Sequence, residues 1–289
     1  MSSDNILNKI KKLRELTGVG FKDCKNAIDE SNGDLEKSVE FLRKKGIAKA
    51  TKRMGRTAAE GLVCVFEDKN KFSMIEINTE TDFVAKNNDF INFAEEVSQL
   101  SWHASGKMDD ILKSKMKNNK TVEESLIDLV SKIGEKITLR KSAFFGNDKL
   151  LNFSYTHAST KKNIGKIGVL LSIETKKVKS DAMNLGKQLA MQIASSSPLA
   201  IEKEDLNPNI VKKEKEIITE ELKNSGKDIK IIEKIALGKL NKFLNDNTLL
   251  NQEWIMEPKK KVKDVIKNFA GKEEFIVKDF LRFKVGEGL

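Results

Sequence analysis

Residues able to do chemistry are few and scattered in this chain, and the pair that stands out sets an acid beside an aromatic ring. Asp82 and Phe83 follow the alternating run Met74-Ile75-Glu76-Ile77-Asn78 and precede a polar stretch, Lys86-Asn87-Asn88-Asp89. Such neighbours rarely serve one core, because burying a phenyl ring is favourable while burying an unpaired carboxylate is costly. Either the ring is buried and the acid caps a helix, or both are offered to something else. The rest of the catalytic inventory is thin. The two histidines, His103 and His157, lie in separate elements with no cysteine near either, and Cys24 and Cys64 stand far apart, outside any C-x-x-C pattern. There is no G-x-x-x-x-G-K-[ST] loop, strand-borne G-x-G-x-x-G, H-E-x-x-H pair or G-x-S-x-G turn. No metal, cofactor or enzymatic centre is expected.

Charge raises a different question. A net charge of +10 over 289 residues and a pI near 9.3 invite a nucleic-acid partner. The basic residues are six arginines (Arg14, Arg43, Arg53, Arg56, Arg140, Arg282) against 47 lysines, mostly interleaved with acids as in "KKEKEIITEELK". Arginine is the better residue for bidentate phosphate and base recognition, so a solvated surface is the simpler reading. The dense run from Arg43 to Arg56 keeps a basic ribosome- or RNA-binding protein as the alternative. The apolar runs are far shorter than the roughly 18 residues a membrane span needs, and the amino terminus carries no apolar signal region. With no disulfide framework, the expectation is a reducing, cytoplasmic setting.

Periodicity supplies the elements that must hold the Asp82–Phe83 pair. Ile6, Ile10 and Leu13 share one helical face; two glycines in "TGVGF" break it; Cys24, Ala27 and Ile28 make a second stripe. Asp34 is placed as the N-cap of a third helix, with Leu35, Val39 and Leu42 recurring until Gly46. Three short helices in so little chain look like a ubiquitin-associated (UBA-like) bundle. A basic connector runs from Lys44 to Glu60. "GLVCVFED" and "KFSMIEIN" then form a hairpin, followed by a helix through Phe90, Phe93, Ala94, Val97 and Leu100. A further helix spans Val122 to Ile133, ends at Gly134 and gives way to a strand at Ile137. "LNFSYTH" and "KIGVLLSIET" predict a second hairpin, and "DAMNLGKQLAMQIASSSP" a second helix ended by Pro198, a weak internal repeat of the first plan. Residues 209 to 244 describe an amphipathic helical hairpin, Pro258 is expected to begin another helix, and "FLRFKVGEG" closes as a strand. The fold class is α+β, in segments 1–55, 56–145, 146–208, 209–244 and 245–289.

In order along the chain, "LRELTGVGFKDCKNAI", "NGDLEKSVEFLRKKG", "AAEGLV", "ETDFVAKNNDF", "IGEKITLRK", "KIGVLL", "MEP" and "RFKVGEG" resemble bacterial elongation factor Ts. The resemblance covers nearly the whole chain, with T-D-F-V-A-K-N its most characteristic piece. It implies a guanine-nucleotide exchange factor for elongation factor Tu, bound in GDP-loaded and nucleotide-free states. The implied fold is a UBA-like amino-terminal domain, a two-part α+β core with antiparallel sheets and an inserted coiled-coil hairpin. Thr81, Asp82, Phe83 and Val84 would then form an exchange wedge that enters the partner's nucleotide-binding domain near its magnesium. Ile133 and Gly134 match a contact pair, His157 a histidine meeting the partner's third domain, and Arg14, Phe21 and Lys25 the docking surface of the first helices. Phe21-Lys22 stands where many relatives carry two methionines, and the turn after His157 is longer than usual. The family picture needs no membrane or specific nucleic acid, and it leaves a homodimer or 2:2 complex open.

Overall fold

The computed structural model describes residues 3–17, 19–53, 55–223 and 229–289. The amino-terminal helices are α1 (Ser3–Thr17), α2 (Phe21–Glu30) and α3 (Leu35–Arg53). Their apolar stripes converge, and Ile10, Leu13, Cys24, Ala27, Ile28 and Leu42 form one small buried core. Gly33, at φ 78°, takes the left-handed turn between α2 and α3, a conformation glycine adopts without penalty. Asp34 caps α3 by accepting from Lys37 N–H (3.1 Å). Two expectations change here. Val39 turns outward, and α3 runs through Gly46 to Arg53, so much of the expected connector is helical. Tertiary packing overrides the glycine: a Cβ on Gly46 would come within 2.3 Å of Ser131 Oγ, so the glycine leaves room for the Ser131 side chain.

The next elements are strands β1 (Glu60–Asp68) and β2 (Lys71–Thr79), short helix α4 (Asp82–Ala85), helices α5 (Asn88–His103), α6 (Met108–Lys113) and α7 (Val122–Ile133), and strand β3 (Ile137–Phe145). β1 and β2 pair antiparallel in register from Glu60↔Thr79 to Asp68↔Lys71. Lys69 and Asn70, at φ 46° and 67°, make the two-residue turn whose twist suits a hairpin. Ile75 and Ile77 on one face of β2 join Phe90, Ala94 and Val97 of α5 in the main core. Glu76, on the other face, is fully buried. Its Oε1 accepts from Arg140 Nη1 (2.9 Å) and from Gly286 N–H (2.9 Å).

The remaining elements are β4 (Leu151–His157), β5 (Ile164–Gly165), β6 (Ile167–Thr175), α8 (Lys179–Ser196), α9 (Pro208–Lys223), α10 (Ile229–Asp246), β7 (Glu253–Trp254), β8 (Glu257–Lys261), α11 (Val262–Ala270) and β9 (Phe275–Lys284). The sheets run β3-β2-β1-β5, β4-β6-β9 and β7-β8. β4 and β6 are therefore neighbours, as a second hairpin requires, but β5 interrupts them by pairing antiparallel with β1. Pro258 lies in β8 rather than starting a helix. Its segment pairs with β7, Trp254 opposite Glu257, and helical spacing begins only with buried Val262 and Ile266. The chain forms two compact units. One comprises Met1–Phe144, Thr156–Gly168 and Phe283–Leu289, the other Phe145–Tyr155 and Val169–Arg282. This is a mixed α+β fold with antiparallel pairing, and no helix among the described residues is long and apolar enough to cross a membrane.

Candidate functional site

Where β2 ends, the chain must turn sharply, and the turn decides which side chains of Asp82–Ala85 face water. Thr81 is the N-cap of α4, its hydroxyl accepting from Val84 N–H at 3.5 Å. Val84 and Ala85 point into the main core. Asp82 and Phe83 are left outside, and the Phe83 side chain is 81% exposed. A phenyl ring kept in water forgoes a burial worth ~1.5 to 3 kcal/mol, which makes a ring this bare informative. Asp82 is partly exposed and pairs with Lys86 Nζ (2.7 Å). That hydrogen bond, with the nearby charge of Lys166, holds the Asp82 carboxyl below the usual carboxylate range. Lys86 is raised in return. Lys166 itself bonds Glu60 (2.7 Å), so both cations that act on Asp82 are paired with acids.

A second layer fixes this tip. α7 begins with a capping box between Thr121 and Glu124 and ends at Gly134, whose left-handed φ of 93° turns the chain. Glu135 then reaches back: its carboxylate accepts from Thr79 Oγ1 (3.1 Å), Thr81 N–H (3.0 Å) and Thr81 Oγ1 (2.8 Å). Glu80 makes the reverse connection, accepting from Lys136 N–H (2.6 Å) and from Arg56 Nη1 (3.2 Å). Burial raises the Glu80 carboxyl, yet the Lys136 hydrogen bond and the Arg56 guanidinium outweigh it and leave the group below its ordinary value. Thr81–Val84 and Ile133–Gly134, separate expectations in the sequence, are thus linked through the bonds of Thr81 to Glu135 and of Glu80 to Lys136. Glu80, Glu135 and Arg56 were missed. One signal was available: an acid directly after a helix carboxyl end opposes the helix dipole, so Glu135 required donors from elsewhere.

The other expected residues stand on other elements. Arg14, Phe21 and Lys25 are exposed on α1 and α2, with Phe21 46% exposed at the start of α2. His157 is exposed at the end of β4, and its carbonyl accepts from Lys166 N–H (3.0 Å). The basic run is largely spoken for: Arg43 bonds Glu124, Lys44 meets Glu40 (2.8 Å), Lys45 meets Asp23 (3.2 Å), and Arg53 donates to the Val130 carbonyl (3.0 Å). Both cysteines are buried and free. Among the described residues no group of His, Cys, Asp or Glu could hold a metal ion.

The α+β scaffold thus carries a bare aromatic ring on a hydrogen-bonded helix tip. The comparisons with known proteins are specific. Residues 80–287 match the family model described as Elongation factor TS. Curated relatives named Elongation factor Ts include those of Methylorubrum populi, 40% identical over 283 residues, and Bartonella henselae, 41% identical over 286 residues. Each alignment covers 97% of this chain and 92% of the relative. The chain belongs to the elongation factor Ts family. Its function is that of the family, nucleotide exchange in translation elongation.

Proposed function

We propose that the chain binds elongation factor Tu and speeds release of GDP by inserting the Phe83 ring, with Asp82 beside it, against the partner's nucleotide-binding domain. The observation that carries this reading is the exposure of Phe83 on a helix tip whose following residues, Val84 and Ala85, are buried. An apolar wedge displaces partner helices, and the disturbed backbone and water contacts weaken magnesium and phosphate binding. Binding of factor and of GDP then oppose each other reciprocally, and the factor needs no catalytic acid or base. It engages GDP-bound and nucleotide-free partner and operates in the cytoplasm.

Within this reading residues 1–55 are a UBA-like docking module carrying Arg14, Phe21 and Lys25, supported by the small separate core of α1–α3. Residues 56–145, 146–208 and 245–289 are the two-part core, with Ile133, Gly134 and His157 as further contacts. Residues 209–244 are a coiled-coil hairpin, supported by buried Ile218 and Leu222 and by the Lys239–Glu221 pair at 2.6 Å. The intramolecular partners of Arg43, Lys44, Lys45, Arg53 and Arg56 weigh against an RNA-binding role for that run.

The test is release of fluorescently labelled GDP from purified elongation factor Tu, followed by stopped flow with and without the chain. Faster release, retained at moderate salt, is expected. A factor that leaves the release rate unchanged, or whose effect collapses with salt by orders of magnitude as phosphate contacts would, overturns the reading.

A further inference from the structure

We propose that Glu135 and Glu80 are positioning residues for exchange, whose reciprocal bonds make Thr81–Phe83 and Ile133–Gly134 one stiff contact unit. The inference rests on Asp82–Phe83 being the wedge. A wedge displaces a partner only if it yields less than the partner does. Helix α4 cannot supply that stiffness, because it has four residues and its threonine cap bond is long, 3.5 Å, whereas short isolated helices are unstable.

The stiffness comes from the crossed carboxylates. Glu135 takes three hydrogen bonds, all from residues 79–81. Glu80 takes the Lys136 N–H and the Arg56 guanidinium, while Lys136 Nζ returns to the Arg56 carbonyl (2.8 Å). Each segment therefore holds the other's backbone as well as its side chains, and hydrogen bonds to ionised groups are among the stronger kinds. Neither acid belongs to the apolar core, which closes over Ile75, Ile77 and Phe90 without them. Load on the Phe83 ring passes into α7 and β3 instead of bending the loop.

The experiment uses the full chain as Glu135→Ala, Glu135→Gln and Glu80→Gln beside Phe83→Ala. It measures stopped-flow GDP release from elongation factor Tu across factor concentrations, together with thermal melts and amide hydrogen exchange. Glu135→Ala is expected to lower the plateau release rate ~10-fold, within the span of ordinary coupling energies, with its half-saturating concentration little changed because the ring is still presented. The amides of Thr81 and Val84 should lose protection while those of α5 keep it. Glu135→Gln, retaining one acceptor oxygen, should fall between alanine and wild type. A wild-type plateau in Glu135→Ala despite loosened loop amides overturns the proposal. So does a loss of plateau and affinity in proportion to a lowered melting temperature. If Glu135→Ala does not fold, the plateau of Glu80→Gln decides by the same criterion. Failure of the wedge itself is distinguishable, since Phe83→Ala would then equal wild type, whereas an impaired Phe83→Ala with a normal clamp variant sinks only the clamp.

Discussion

Phe83 can be removed at little structural cost, which makes the wedge reading sharp. An exposed ring cut to alanine should leave stability within about 0.5 kcal/mol, whereas a buried phenylalanine would cost ~3 to 5 kcal/mol. Phe83→Ala and Asp82→Ala are therefore expected to melt as wild type and to slow GDP release, and a lowered melting temperature with normal exchange would reverse the assignment. Cys64 behaves in the opposite way. Burial, with the charge of Glu95, pushes its thiol from 9.0 up to about 12. Folding thus retains a proton that the unfolded chain loses. This contribution to stability is whole below pH 9 and declines by ~1.4 kcal/mol per pH unit as pH rises toward 12. Denaturant titrations should show that extra slope in wild type and lose it in Cys64→Ala, and iodoacetamide should label neither cysteine until the chain unfolds. At this scale much was legible, since an acid beside a ring with no catalytic company pointed outward. Glu76 was not legible, because its partners Arg140 and Gly286 lie 64 and 210 positions away.

Helices and strands were read well where their own residues decide them and poorly where neighbours do. The β1–β2 hairpin and the α7 boundaries follow from alternation, a capping box and a left-handed glycine. The end of α3 was misread because Gly46 looks like a stop when taken alone, and Pro258 because its strand role depends on pairing with β7. The α3–α7 contact can be tested directly. A Cβ on Gly46 would meet Ser131 Oγ at 2.3 Å, an oxygen buried without a hydrogen-bond partner. Gly46→Ala should therefore destabilise by ~1 to 3 kcal/mol through overpacking, despite alanine's better helix propensity. Ser131→Ala alone should be near neutral, and in the double variant most of the loss should be recovered. Purely additive melting data would mean that the two side chains do not meet.

Taken whole, the molecule is assembled from interrupted segments. The α9–α10 pair is rooted on Leu199 and Ala200, whose amides donate to the Asn247 carbonyl (2.9 and 3.4 Å), with Leu249 N–H returning to Ala200 (2.9 Å). Because the base is pinned independently of the helices, replacing residues 211–243 with a short Gly-Ser turn should leave the remaining chain folded and change exchange modestly. Loss of the cooperative melt would show that the hairpin is a core element. The interruption was only partly legible, since periodicity identifies β4 and β6 but not the detour of β5 to β1. The backbone passes between the two units four times, and that has a consequence for cleavage. A protease cutting the exposed turn at Lys161 or Lys162 would free neither unit, because β4 on one fragment pairs in a sheet with β6 on the other, and β5 with β1. The nicked halves should elute together and part only in denaturant, each fragment serving as the template on which the other completes its sheet.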